Sequence, residues 1–374
     1  MRKEVQKALE DYISYFGIQK AKEQIKEYKK HPEKYNKKGY IFFDENHFDK
    51  IIESNTQIGV YQVDYYYDVY KISKKRGGYR EIASPSLELK DIQQFINENI
   101  LAYGDISDYC HGFVKGRSIV TNALNHCNKE LVICMDIKDF FRSIKIEDII
   151  NVFSNMGYNK QISNALGMWC SFKGALVAGS PSSPALSNLV FSKLDEIINN
   201  ISIKYKFIYS RYADDMVFST NKKDANYNEL IEEVEKCVTN FNFSINAEKT
   251  KIYPKGGKQE VTGLIVNNTV KVKSKIRKEV LTHIYYCEKF GFENHLSRCD
   301  KEYTLKNSIE QMKIKRHFIN YIKGKMNFIK MVEPLNGRNI EKRYLEVFAE
   351  EEAKLQLEEK PIEIGFEELD DIYI

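Results

Sequence analysis

No stretch of the 374 residues reaches the ~18 consecutive apolar positions that a membrane-crossing helix needs. The opening MRKEVQKALEDYISYFG mixes charges with apolar residues and lacks the continuous apolar run of a secretory leader. Cysteine is sparse: seven are scattered between Cys110 and Cys299 without one C-x-x-C pair, which argues against a disulfide framework and against a zinc site. There is no internal repeat and no low-complexity linker. These absences point to a reduced, cytoplasmic protein with no membrane partner. The chain is long enough for two or three domains with a buried core. Its 43% hydrophobic and 29% charged residues read as soluble and globular rather than disordered.

What is present is unevenly charged. Residues 271–330 carry 15 Lys/Arg against 6 Asp/Glu, a local balance of +9, interleaved with Tyr285, Tyr286, Phe290, Phe318, Tyr321 and Phe328. A basic, aromatic-studded segment suits a phosphate backbone, which rewards Lys and Arg by counterion release. A solvated helix face is the competing explanation. Residues 340–374 reverse the sign, with 4 basic against 12 acidic residues. Apolar residues recur there, so the segment reads as one that docks on the enzyme's own basic surface or on a protein partner.

Patterning gives a coarse set of elements. Residues 1–60 are polar and helical in character. Tyr61 to Ser84 alternates aromatic and β-branched residues with polar ones around Gly77-Gly78, as a hairpin does. Ser86 can cap a helix bearing Leu89, Ile92, Phe95, Ile96 and Ile100 on one face. Leu131–Met135 is an apolar strand ending at Asp136. A helix should begin near Ser183-Pro184, with proline at its first position. Short strands Phe207–Tyr212 and Met216–Thr220 flank Ala213-Asp214-Asp215, and a further helix covers about 224–241. The order gives an α/β core with a small antiparallel sheet.

The chemistry centres on RYADDMVF. Asp214 and Asp215 sit at the tip of the expected hairpin, where unpaired carboxylates repel and a cation is their natural partner. An ordinary Asp-rich turn has the same look. Some 75 residues upstream, MDIKDFF delivers Asp136 at the end of its strand. Three carboxylates are what nucleotidyl transfer needs to hold two Mg²⁺ ions ~3.5–4 Å apart.

The ordered strings YKISKKRGGYREIASP, HGFVKGRSI, MDIKDFF, GSPSSPALSN, YADD and NAEKT resemble the sequence blocks of reverse transcriptases over roughly residues 61–263. Asn122-Ala123-Leu124-Asn125-His126 and Val261-Thr262-Gly263 resemble the NAxxH and VTG signatures of the retron branch. The resemblance implies a metal set of Asp136, Ile137, Asp214 and Asp215, with Lys249 as general acid for pyrophosphate. Lys74, Lys75 and Arg80 would fold over the incoming triphosphate. Phe141 would be the aromatic gate that clashes with a ribose 2′-hydroxyl, while Gly179 and the small residues after it leave room for the template–nucleotide pair. The family usually has Pro-Gln before that glycine; here Val177-Ala178 stands instead, leaving the glutamine's contact with the sugar unprovided. Asn122 and His126, four apart on one helix face, would position RNA or anchor the fingers; a histidine in such a place is usually a structural hydrogen-bonder, the competing reading. Val261, Thr262 and Gly263 join them as RNA-binding residues, with Lys313, Lys315, Arg316, Lys323 and Lys325.

The fold so implied is an α/β right hand with interleaved fingers and palm and a helical thumb. Its expected parts are an N-terminal helical extension at 1–60, fingers at 61–112 and 145–178, and palm at 113–144 and 179–263. A basic thumb at 264–330 and an acidic tail at 331–374 follow. The implied partners are dNTPs, a structured non-coding RNA with its cDNA product, and an effector protein encoded nearby, in defence against phage. Priming would start from an RNA 2′-hydroxyl and give a branched RNA–DNA hybrid. Two other readings stay open: a reverse transcriptase of group II intron or abortive-infection type, and a non-catalytic nucleic-acid-binding scaffold. Intact Asp136, Asp214, Asp215 and Lys249 speak against the scaffold.

Overall fold

Strands of four to six residues build the central sheet. β3 (Leu131–Asp136), β4 (Ile208–Tyr212), β5 (Asp215–Thr220) and β6 (Lys251–Pro254) form one antiparallel sheet in the order β4-β5-β3-β6. Val132, Ile133, Met216, Val217 and Phe218 are buried in it. The computed structural model describes residues 3–32, 39–53, 60–73 and 78–357. The chain divides into two units, Met1–Thr262 and Gly263–Ile374.

In the first unit, α1 (Lys3–Lys30) is broken at Gly17, and α2 (Glu45–Glu53) follows. The hairpin is β1 (Tyr67–Ser73) with β2 (Tyr79–Pro85); Val60–Tyr66, expected as strand, is a 3₁₀ turn. Ser86 caps α3 (Leu87–Asn99) by accepting from the Leu89 N–H, and Leu89, Ile92 and Ile96 are buried. The short helices α4 (Ile119–Leu124), α5 (Phe140–Ser143), α6 (Ile146–Asn155) and α7 (Lys160–Trp169) were not read from the sequence. α8 (Ser183–Lys204) has Pro184 in its first turn, where the missing N–H costs nothing. α9 (Tyr227–Asn240) starts later than expected because the Asn226 side chain caps it. One continuous core joins α3, α6, α7, α8 and α9 to the sheet through Ile96, Phe153, Leu166, Phe191 and Leu230. The borders expected at 112, 144 and 178 all fall inside this unit.

The second unit contains four helices among its described residues: α10 (Ser274–Phe290), α11 (Phe292–Cys299), α12 (Ser308–Val332) and α13 (Pro334–Leu357). Asn307 and Glu310 close a capping box on α12. Expected as part of an acidic tail, 334–357 is a helix instead. Its Ile340, Tyr344, Phe348 and Leu355 are buried, and Phe348 meets Phe318 of α12 and Phe292 of α11. Residues 358–374 lie outside the described residues. No helix among the described residues is long and apolar enough to cross a membrane.

Candidate active site

β3 and β5 are adjacent, and their register sets Asp136 directly opposite Asp215. Tyr212 pairs with Asp215, so Ala213 and Asp214 are the two-residue loop between β4 and β5. Ala213 takes a left-handed φ of +55°, the sign that tight hairpin loops demand. Gly112 of the HGF string packs against this loop: a Cβ there would stand 2.6 Å from the Ala213 nitrogen. Only glycine permits that approach. The Ile137 N–H donates to the Asp214 carbonyl at 3.0 Å, and the Asn246 N–H to the Asp136 carbonyl at 2.7 Å. Backbone bonds thus tie both carboxylate-bearing segments together.

Sequence reading missed the group beneath the loop. Arg211 and Asp195 are both fully buried and paired two-pronged, Nε to Oδ1 and NH2 to Oδ2, each at 2.8 Å. The same guanidinium donates to the Ala213 carbonyl at 2.9 Å and lies 4.4 Å from the centre of the Phe191 ring. Tyr209 also donates to Asp195. A buried charge pair is tolerable when every polar atom is satisfied, and here the satisfaction includes the turn that carries Asp214. The signal was an arginine inside an apolar strand and an aspartate on the apolar face of α8.

Asp136, Ile137, Phe141, Asp214 and Lys249 line one cleft of about 810 Å³. Burial first, then Asp214 and Asp136, push the Asp215 carboxyl up to about 6. Lys249 bridges Asp136, its Nζ 2.9 Å from each carboxylate oxygen. Lys249 and Lys251 both act on Asp215 against Asp214 and Asp136, and the donors of the three carboxylates are hard oxygens. That donor set fits a divalent cation such as Mg²⁺ or Mn²⁺.

The remaining expected site residues divide. Phe141 is half-buried beside Phe113 and Phe140, on the cleft wall, while Phe140 is core between Phe191 and Phe243. Gly179 has φ +117°, and a Cβ on it would meet the Ala83 carbonyl of β2 at 2.8 Å. Val177 and Ala178 line the cleft with apolar surface only. Lys74 and Lys75 lie outside the described residues, as does the side chain of Arg80. The cleft is also lined by Lys71, Tyr79, Glu81 and Arg142, with Arg142 ion-paired to Glu81; the first three lie in the YKISKKRGGYREIASP string and Arg142 directly follows MDIKDFF.

For Asn122 and His126 the expected RNA contact is corrected in favour of the structural hydrogen-bonding alternative. Asn122 and His126 are fully buried. His126 bonds Ser219 Oγ through Nδ1 and Ser210 Oγ through Nε2, each at 2.7 Å, and Asn122 accepts from the Ser210 hydroxyl. They brace the β4–β5 hairpin from behind and present nothing to RNA. Val261 is likewise buried. Thr262 is half-buried, its hydroxyl 3.4 Å from the Ile119 carbonyl, and Gly263 has φ +85°. On α12, Lys315 pairs with Glu293, Lys323 with Glu352 and Lys325 with Glu279. Part of the positive charge expected to face phosphate is therefore met within the unit. Lys313 lines a small cavity of the second unit.

The family model described as reverse transcriptase (RNA-dependent DNA polymerase) matches residues 72–273. The retron Ec86 reverse transcriptase of Escherichia coli is 33% identical over 244 residues, 63% of this chain and 75% of that protein. The retron Ec83 reverse transcriptase of the same species is 31% identical over 293 residues, 75% of this chain and 87% of that protein. The retron Mx162 reverse transcriptase of Myxococcus xanthus is 30% identical across 73% of this chain and 59% of its own length.

Proposed function

Because this chain belongs to the reverse transcriptases, and within them to the retron type, we propose that the cleft under the Ala213-Asp214 loop is its polymerase site, where Asp136, Asp214 and Asp215 hold two Mg²⁺ ions. The protein is an RNA-directed DNA polymerase of right-hand α/β fold, and its template is RNA. The observation that carries the site assignment is the register that sets Asp136 opposite Asp215 with Asp214 at the adjoining turn.

Bound there, the ions would lower the pKa of the attacking hydroxyl and offset charge on the triphosphate. The chain's own residues do the rest. Lys249 releases Asp136 and hands a proton to the departing pyrophosphate. Phe141 closes the cleft wall under the sugar. Lys74, Lys75 and Arg80 of the β1–β2 hairpin grip the triphosphate. Gly179 lets the segment before α8 lie against β2 beside the dNTP.

On this reading the template is a structured non-coding RNA, primed from one of its own 2′-hydroxyls to give a branched RNA–DNA hybrid. An effector protein encoded nearby completes a defence system against phage. The similarity to proteins called retron reverse transcriptases supports this. The test has two arms. Asp214→Asn and Asp215→Asn should each abolish primer extension on an RNA template with Mg²⁺ while the protein still binds RNA. Nucleic acid co-purified with the wild-type chain should resist full separation into RNA and DNA until debranched. Extension at wild-type rate by either variant overturns the site; only linear nucleic acid overturns the branched-product reading.

A further inference from the structure

The chain has no C-x-x-C pair, but a different spacing occurs twice: His283-x₃-Cys287 in α10 and His295-x₃-Cys299 in α11. Residues four apart share a helix face, so each string offers an imidazole and a thiol one turn apart. Gly291, with φ +82°, joins the two helices and turns α11 back against α10.

The side chains meet. His283 Nδ1 lies 2.8 Å from His295 Nε2, and Cys299 Sγ lies 3.5 Å from that same nitrogen. These three ligand atoms fall within 4.8 Å of one another, the one such His/Cys/Asp/Glu group found among the described residues. Cys287 is buried beside them, and Cys299 is the foremost of the charges acting on it.

Hydrogen bonding explains only part of this. A ring nitrogen carries one proton or one lone pair, so His295 Nε2 can serve His283 or Cys299 but not both well. A cation between them takes a lone pair from each. Tetrahedral zinc, with Zn–N of about 2.0–2.1 Å and Zn–S of about 2.3 Å, sets neighbouring ligand atoms roughly 3.3–3.6 Å apart. The Cys299–His295 distance already has that value. The two imidazoles need to part by only about half an ångström to reach it. Imidazole and thiolate donors select zinc over the hard ions that suit the carboxylate cleft.

We propose that His283, His295 and Cys299 bind a Zn²⁺ ion that staples α10 to α11, with Cys287 turning in as the fourth ligand. Two thiolates would balance the ion's charge. Entry is open: a cavity of about 410 Å³ borders Cys299, with Leu296 and His317 on its walls. Packing supports the imidazoles from outside, since His295 stacks on Tyr286 with ring centres 5.5 Å apart and meets Phe318 at 5.8 Å.

The experiment uses the full chain with its co-purified nucleic acid. Zinc is counted by mass spectrometry, and chelator-stripped protein is then titrated with Co²⁺ alone. About one zinc per chain is expected, with tetrahedral cobalt bands and a thiolate-to-cobalt charge-transfer band. That last band cannot come from the carboxylate cleft, which has no sulfur ligand. Cys299→Ser should lose the band and most of the zinc while Asp214→Asn keeps both, and stripping should lower the melting temperature of the wild type. If Cys299→Ser fails to fold, the wild-type cobalt spectrum still decides. Zinc-free protein whose cobalt complex lacks the sulfur band would overturn the proposal and leave a packing cluster only.

Discussion

The Lys249 ammonium stands 2.9 Å from both carboxylate oxygens of Asp136, so a side chain proposed to bind a cation already has one. Its lysine partner is half-exposed. A divalent ion and Lys249 therefore compete for Asp136. Lys249→Gln should tighten Mn²⁺ binding to the free enzyme, followed by electron paramagnetic resonance. The same variant should slow single-turnover extension by ~10²–10⁴-fold, the usual share of a general acid. Unchanged Mn²⁺ affinity would show that the ion pair does not gate the metal.

Arg211 and Asp195 present the opposite situation, a pair that nothing can replace from solvent. Truncating one partner leaves a buried charge unmatched, at a cost of ~3–5 kcal/mol. Arg211→Met should cost about that in urea denaturation. Adding Asp195→Leu should recover part of the stability, because the apolar pair needs no partner although the buried Tyr209 hydroxyl loses its acceptor. Activity should not return with it, since the tether to the Ala213 carbonyl is gone. Recovery of both together would mean that the guanidinium serves stability alone.

His126 should reveal itself through pH. Burial holds its pKa down to about 3, against an ordinary value of 6.5, and both ring nitrogens face serine hydroxyls. Above 6.5 the ring is neutral whether the chain is folded or not, so it makes no pH-dependent contribution. Below that value the unfolded chain takes the proton first. Stability then falls by ~1.4 kcal/mol per pH unit until the folded pKa is reached. Between pH 7.5 and 5.5 this group alone should cost roughly 1.4 kcal/mol. His126→Gln should flatten that part of the profile, and a profile identical to wild type would place the titration elsewhere.

That histidine also shows where sequence reasoning stops. The placement of Asp136 at a strand end and of Asp214 and Asp215 at a hairpin turn was legible because these are local patterns. Ser86 and Pro184 were legible as helix starts for the same reason. The burial of Asn122 and His126 was not, because it depends on Ser210 and Ser219, more than 80 residues away in the chain. Arg211–Asp195 likewise joins a strand to a helix, and neither residue alone marks the other. The short helices α4 to α7 lack the length that makes periodicity readable. The α10–α11 histidines and cysteines became a group only once the helices were folded back on each other.

Phe141 occupies the cleft wall with Phe113 and Phe140 behind it, so a smaller side chain would open space without touching the carboxylates. Phe141→Val should raise incorporation of GTP relative to dGTP opposite a template cytosine while keeping most dGTP turnover. The ratio of kcat/KM values reads the discrimination. An unchanged ratio would put the sugar gate on another residue.

The segment after Gly337 separates two roles that its acidity had merged. Tyr344 and Phe348 are buried within the second unit, and Phe292 stands edge-on to Phe348. Lys330 pairs with Glu341, Arg343 with Glu288, and Lys323 with Glu352, so the carboxylates of α13 face basic residues of α12 and α13 supplies an arginine to α10. A chain ending at Gly337 loses all of this. Removing two buried aromatic side chains alone should cost several kcal/mol, at ~3–5 kcal/mol for each phenylalanine-sized truncation. A chain ending at Leu357 keeps every one of these contacts. The first truncation should therefore lower the melting temperature sharply and impair cDNA synthesis, while the second should melt as the full chain does. If the acidic residues after Leu357 dock an effector protein, that docking should be lost in the second truncation with synthesis intact. Equal melting of both truncations would mean that α13 packs without contributing stability. Loss of synthesis in the chain ending at Leu357 would assign the last residues to the catalytic machinery.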